Sequence, residues 1–191
     1  MVQTALLAAL EVALTLLVIP VGAINLNFGL VPIVIAGVFI SPLTGAFIGG
    51  VSGLVTMFQV LSGQTVFYAF LLTANPFLAC VLCIVKTAAA GYLSGLIYNL
   101  LKNRQTLASI AAAIICPIAN TGIFALGMLT VFGNALMADP VISTWSTGGL
   151  LALVFIVLIG VNFFVEVGMN LVLCPILIRT LKKTKFFVES K

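Results

Sequence analysis

The feature that most constrains this chain is the length of its apolar stretches. No charged residue occurs between Glu11 and Lys86, and the whole sequence holds eight Lys and Arg and four Asp and Glu among 191 residues. A water-soluble domain carries about 25% charged residues because its surface faces water. Here 6% of residues are charged and 63% are hydrophobic. Exposed apolar surface on this scale requires lipid as its solvent, so we expect an integral membrane protein of the all-α class.

Six apolar segments have the character of membrane helices, for which about 20 residues make one crossing. Prolines mark two boundaries, because the residue before a proline leaves the helical region and proline suits the first helical position. The stretch from Ser62 to Asn75 is interpreted as a polar loop. We expect one domain over residues 1–191, a six-transmembrane-helix bundle with helices at approximately 2–21, 29–40, 43–61, 76–101, 107–135 and 148–181.

The positions of the basic residues predict the orientation of this bundle. Lys102 and Arg104 lie between segments four and five, and a second basic group follows segment six: Arg179, Lys182, Lys183, Lys185 and Lys191. Loops rich in Lys and Arg remain in the cytoplasm. We therefore expect both termini to be cytoplasmic. The loops at 22–28, 62–75 and 136–147 would then face outward, and Asp139 is their one charge.

The chain lacks the residues that several kinds of protein chemistry require. The chain has no His, and its four Cys lie in apolar runs, where they act as small hydrophobic residues. No nucleotide-binding, zinc or nucleophile motif is present, so we expect no enzyme activity, no metal and no cofactor. A net charge of +4 on a membrane protein reports topology, and we expect no nucleic-acid partner. Any pump built on this chain needs separate ATPase subunits.

Small residues recur at four-residue spacing, which lets helix backbones approach closely in lipid. Gly45, Gly49 and Gly53 form one such stripe, and we expect it to pack within the chain more than to form a dimer. Ala5 and Ala9 begin another on segment one. This second stripe has fewer reasons to be internal, so it is a candidate docking surface for a membrane partner.

Three ionisable residues lie inside the apolar segments, where such groups are expensive and often functional. Glu11 and Lys86 fall at similar depth. One hypothesis is a Glu11–Lys86 ion pair that fixes helix register, and the other is that Lys86 neutralises an acidic substrate. Glu166 could pair, reach the interface or take part in coupling.

Neutral polar residues in the same segments need hydrogen-bond partners away from water. They could hold helices together, or they could line a cleft for a small polar ligand. The aromatic rings in the outward loops, together with Gln64, could close such a cleft. With Lys86, the candidate substrate-binding residues are Gln59, Asn75, Tyr92, Asn120, Trp145 and Asn162.

The sequence resembles the substrate-binding S component of energy-coupling factor (ECF) vitamin transporters. The likeness rests on six segments in this length, on the Ala5–Ala9 motif, and on the run Asn27 to Ile33 (NFGLVPI) followed by the small residues of Gly37 to Gly53. It implies a bundle that captures a water-soluble vitamin outside the cell with high affinity. It also implies that Ala5 and Ala9 dock onto a transmembrane coupling subunit, which carries two ATPase subunits.

Lys86-Thr87 and the run Cys116 to Gly122 (CPIANTG) look most similar to members assigned to pantothenate. A carboxylate would suit Lys86, and hydroxyl and amide groups would suit Asn120 and Asn162. The alternatives are another vitamin or precursor, such as riboflavin, folate or hydroxymethylpyrimidine, and a self-sufficient small secondary transporter. A scaffold protein would explain the glycines but not so many amides within the membrane segments.

Overall fold

The computed structural model describes residues 2–17, 19–21, 24–26, 28–63, 65–145 and 147–184, with the backbone alone for 19–21 and 24–26. The described chain is mainly helical, which confirms the helical class. Its helices are α1 Val2–Leu16, α2 Leu30–Phe39, α3 Pro42–Leu61, α4 Val66–Ala74, α5 Pro76–Leu100, α6 Gln105–Thr130, α7 Gly133–Ala138, α8 Gly149–Ala152 and α9 Gly160–Lys183. A 3₁₀ turn covers Ile142–Trp145, and a π-helical stretch, Leu153–Ile159, joins α8 to α9.

Four helical stretches have the length and composition to cross a membrane. They are Pro42–Leu61, Pro76–Leu100, Gln105–Thr130 and the run Gly149–Lys183 that includes the π-helical stretch. The helices Val2–Leu16 and Leu30–Phe39 are apolar but shorter. These six pieces lie where the six segments are expected, while the count of six crossings stays a prediction.

The first segment ends earlier than expected. The sequence interpretation carries it to Val21, but α1 stops at Leu16, and an antiparallel hairpin follows in which β1 Ile19–Val21 pairs with β2 Ile24–Leu26. Pro20 explains the difference, because proline has no N–H for a helical hydrogen bond and disfavours helical geometry in the residue before it. In the hairpin Pro20 lies opposite Asn25.

The stretch from Ser62 to Asn75 is not a polar loop, and that interpretation was wrong. It contains α4, whose first turn is capped by the Thr65 hydroxyl, which accepts a hydrogen bond from Tyr68 N at 3.1 Å. Phe67 and Leu71 are buried on its inner face. Burial of these apolar side chains stabilises a helix that is too short to be stable alone.

The fifth segment also ends earlier than its expected limit at residue 135. Helix α6 stops at Thr130, the chain turns, and α7 begins at Gly133. The turn places Phe132 and Leu136 in the core, where they are 1% and 0% exposed. Burying these two side chains outweighs the gain from extending a regular helix.

Helices α3 and α5 pack through their glycines. A Cβ atom added to Gly45 would lie 2.6 Å from Gly91 O, and one added to Gly53 would lie 2.5 Å from the Cα of Ile84. At Gly49 it would overlap the carbonyl of Thr87. Any side chain would force the two backbones apart. The expectation that this stripe packs within the chain is therefore confirmed.

Lys102 and Arg104, which precede α6, lie at the same end of the bundle as Arg179, Lys182 and Lys183 on α9. Arg179, near the end of α9, donates a hydrogen bond from Nη2 to Thr106 Oγ1 at the start of α6, at 3.0 Å. We call this the basic end. The sequence predicts that it faces the cytoplasm, and that orientation stays a prediction.

Candidate functional site

A small cavity of about 40 Å³ lies among helices α3, α4, α5 and α6. Its lining is mainly apolar and aromatic, with a single ammonium group from Lys86 among the described residues. The lining residues are Thr56, Val60, Phe67, Tyr68, Leu71, Ala79, Leu82, Cys83, Lys86 and Phe124. An apolar cleft with few polar groups is the usual composition of a small-molecule site.

Lys86 on α5 contacts α6 at this cavity. Its Nζ atom lies 5.4 Å from the centroid of the Phe124 ring on α6, which is cation–π distance. Glu166, the third ionisable residue of the apolar segments, lies on α9 and is 5% exposed. Lys86 itself is half-buried, so its charge is accessible from the cavity.

Glu11 does not pair with Lys86 within the described part of the chain, so the ion pair considered from the sequence is not formed. Instead, the Thr15 hydroxyl donates a hydrogen bond to Glu11 Oε1 at 2.6 Å. The other oxygen, Oε2, is buried with no hydrogen-bond partner. The two residues differ because Glu11 is on the inner face of α1, next to Thr15, whereas Lys86 lies against the Phe124 ring on α6. Lys86 is therefore left to interact with the cavity.

Asn120 and Asn162 each carry an unpartnered amide oxygen. The Oδ1 atoms of both are buried and accept no hydrogen bond from any described residue. Asn120 precedes Phe124 by four residues on α6, and Asn162 precedes Glu166 by four on α9. Residues four apart share a helix face, so Asn120 lies on the face of α6 that carries Phe124, and Asn162 lies on the face of α9 that carries Glu166. Neither asparagine is among the residues that line the cavity. Burying an acceptor without a partner costs about 1–3 kcal/mol, which a ligand donor would offset.

Two other candidates have structural partners. Gln59 donates from Nε2 to the carbonyl of Thr15 at 2.9 Å, which satisfies a carbonyl in the last turn of α1. Asn75 caps α5, with Oδ1 accepting from Leu78 N at 3.1 Å. Neither residue lines the cavity. Their substrate roles stay predictions.

The remaining aromatic candidates lie outside the cavity lining. Tyr92 is 40% exposed on α5, and Trp145 is half-buried against the apolar cluster that surrounds the cavity. Tyr68, expected in an outward loop, lines the cavity from α4. Gln64 lies outside the described residues.

The candidate docking stripe on α1 is exposed. Ala5 and Ala9 face outward, while Leu7 and Glu11 are buried on the other side of the helix. The helix therefore has one face packed on the bundle and one smooth face without a partner among the described residues. A second membrane helix could approach that face closely.

A comparison with models of protein families gave a match over most of the chain. The family described as "ECF transporter, substrate-specific component" matches residues 1–178. The chain belongs to this family. A comparison with curated proteins gave no match. Members of the family are substrate-binding subunits of membrane transporters that associate with the other ECF subunits, so this S component is a transport subunit.

Part of the cavity of this S component was missed by the sequence interpretation, because α4 was taken as a loop. Phe67 and Leu71 line the cavity from this helix. One signal was available: Thr65 precedes an apolar run, and Ser or Thr before such a run is a typical helix start. The other missed residues carry no signal that separates them from ordinary core positions; they are Thr56, Val60, Ala79, Leu82, Cys83 and Phe124.

Proposed function

We propose that this S component captures a carboxylate-bearing, water-soluble vitamin outside the cell, and that the vitamin is pantothenate. The observation that carries the proposal is Lys86, a half-buried cation in the wall of an apolar cavity. A carboxylate loses its hydration when it enters such a cleft, and a positioned ammonium group offsets that cost.

The amides of Asn120 and Asn162 supply the rest of the recognition. Each has a buried Oδ1 that lacks a donor, and pantothenate offers hydroxyl and amide N–H donors. The Phe124 ring, whose centroid lies 5.4 Å from Lys86 Nζ, would stabilise the ammonium group through a cation–π contact. The carboxylate end of the vitamin would bind Lys86, and its hydroxyl end would bind the amides.

Helix α4 acts as the cover of the site in this proposal. A cavity of about 40 Å³ holds only a few water molecules, whereas ligand sites span about 300–1,000 Å³. The vitamin therefore enters only if part of the wall moves. Helix α4 is nine residues long, follows a turn in which Gly63 has a φ of 61°, and contributes Phe67, Tyr68 and Leu71 to the lining. Its displacement would open the cavity without disturbing the close packing of α3 on α5.

Transport in this proposal draws its energy from partner subunits. The exposed stripe at Ala5 and Ala9 docks onto a transmembrane coupling subunit, and two ATPase subunits bound to that subunit hydrolyse ATP. The complex would lie in a prokaryotic plasma membrane, with both termini of this chain in the cytoplasm. The family match and the exposure of the stripe support this arrangement.

Calorimetric titration of the purified chain with pantothenate, riboflavin, biotin, thiamine, folate and hydroxymethylpyrimidine tests the substrate. We expect nanomolar binding of pantothenate, lost in Lys86→Ala and Asn120→Ala. Binding of a different vitamin would overturn the pantothenate assignment and keep the capture role. Vesicles that contain this chain alone should accumulate no substrate under an ion gradient, and accumulation there would instead favour a secondary transporter.

A further inference from the structure

A larger groove, about 510 Å³, lies at the basic end of the bundle, and it shares no described lining residue with the Lys86 cavity. It is bounded by the first turn of α6, the last two turns of α9 and one side chain of α5. The lining residues with polar or charged groups at their ends include Tyr98, Thr106, Ser109, Arg179, Lys182 and Lys183. None of the described lining residues is acidic.

The basic side chains are held over the groove by specific contacts. Arg179 donates from Nη2 to Thr106 Oγ1 at 3.0 Å, and Lys182 Nζ lies 5.4 Å from the centroid of the Tyr98 ring. Cations in the last turn of a helix also complement its dipole, which accounts for Lys182 and Lys183 in part. That effect does not account for Arg179, which extends across the groove to another helix.

Two further observations indicate that the groove accepts an anion. The hydroxyl of Tyr98 is buried without a hydrogen-bond partner, on a side chain that is 5% exposed and lines the groove. No described side chain caps the first turn of α6, so its N–H groups also need an acceptor. A phosphate oxygen would serve both kinds of donor, and a helix N-terminus is a common place for phosphate to bind.

Apolar surface beside the groove indicates that this phosphate is attached to a lipid. Leu107, next to Thr106 on α6, is 46% exposed, and Ile176, one turn before Arg179 on α9, is 58% exposed. Acyl chains can pack on these residues while the headgroup enters the groove. Basic pockets between helices on the cytoplasmic side of membranes bind anionic headgroups in this way. We propose that the groove lined by Arg179, Lys182, Lys183 and Tyr98 binds the phosphate of an anionic lipid.

Native mass spectrometry of the full chain, delipidated in detergent, tests this proposal. The protein is titrated with short-chain phosphatidylglycerol, with phosphatidylcholine of the same chain length and with inorganic phosphate. We expect phosphatidylglycerol to bind preferentially. Arg179→Gln and Lys183→Gln, both at exposed positions, should each weaken it about fivefold. Lys102→Gln removes the same charge at the same end but outside the groove, and it should leave binding unchanged.

A Tyr98→Phe variant distinguishes lipid binding in the groove from a general effect of surface charge, because it removes only the hydroxyl and keeps the net charge. We expect weaker phosphatidylglycerol binding in this variant, with an unchanged elution volume in size-exclusion chromatography. Equal binding of phosphatidylcholine, or an equal loss in Lys102→Gln, would overturn the proposal. Displacement of phosphatidylglycerol by equimolar inorganic phosphate would assign the groove to free phosphate and reject the lipid.

Discussion

The ammonium nitrogen of Lys86 on α5 lies 5.4 Å from the centroid of the Phe124 ring on α6. The contact places a positive charge beside an aromatic face in the wall of an apolar cavity. Cation–π contacts in desolvated surroundings contribute about 2 kcal/mol, which helps to hold a charge in an apolar setting. The same charge is then available to a ligand. Glu11, which sequence reasoning considered as its partner, is bound to Thr15 instead.

The first prediction concerns the ligand carboxylate. Lys86→Met should weaken pantothenate binding by roughly 10- to 200-fold, because a hydrogen bond to a charged group contributes about 1.5–3 kcal/mol. Panthenol has an alcohol in place of the carboxylate, so its affinity should differ little between the wild-type protein and Lys86→Met. Calorimetry with both ligands makes this a double-mutant cycle. Lys102→Met, at an exposed position between α5 and α6, is the matched control, and an equal loss for both ligands would contradict the pairing of Lys86 with the carboxylate.

Gln59 and Asn120 are both amides in apolar segments, and we expect their substitutions to have different effects. Gln59→Met should lower the free energy of unfolding by about 1–3 kcal/mol, because it leaves the carbonyl of Thr15 buried without a donor. Asn120→Leu should not destabilise the protein in this way, since its Oδ1 has no partner to lose. Vitamin binding should show the reverse pattern, with loss in Asn120→Leu and retention in Gln59→Met. Thermal unfolding measures the stability of each variant, and calorimetry on the same preparations measures vitamin affinity. If Gln59→Met lost vitamin binding at unchanged stability, Gln59 would instead be assigned to the substrate site.

A third prediction tests the contact between α3 and α5. Gly49→Ala places a Cβ against the carbonyl of Thr87, and overpacking of this kind costs about 1–3 kcal/mol. Gly50→Ala is a matched control on the next residue, where an added Cβ meets no atom within 4 Å. It should be neutral or stabilising by up to about 1 kcal/mol, because alanine has the higher helix propensity. The melting temperatures of the two variants should therefore move in opposite directions or differ by several degrees, and equal melting temperatures would argue against close packing at Gly49.

A fourth prediction addresses docking. Ala5→Leu combined with Ala9→Leu should abolish co-purification with the coupling subunit, because the added side chains keep the partner helix from close approach. Vitamin binding by the isolated chain should be retained, since both alanines are exposed on α1 and line neither the Lys86 cavity nor the groove at the basic end. Ala138→Leu makes the same change at an exposed position of α7. If the double variant still assembles normally and transports vitamin, the stripe is not the docking surface.

The sequence predicted the large helices because their signals are local. A long apolar run with proline or glycine at its limits indicates a membrane helix without any knowledge of its neighbours. The glycine stripe of α3 was assigned correctly on the same basis. The predicted end of the fifth segment was wrong because burial of Phe132 in the core competes with extension of the helix. Helix α4 was missed because it is stabilised by burial of its inner face against the rest of the chain.

The sequence by itself determined that this chain is a helical membrane protein and a member of the ECF substrate-specific family, because composition and residue order are sufficient for both. Only the tertiary structure decided which polar residues have partners within the chain. Gln59 is bonded to a backbone carbonyl of α1, whereas Asn120 and Asn162 keep buried oxygens without donors. All three are amides in apolar segments, so composition and spacing do not distinguish them. The difference arises because hydrogen bonding depends on distances between helices that are remote in sequence.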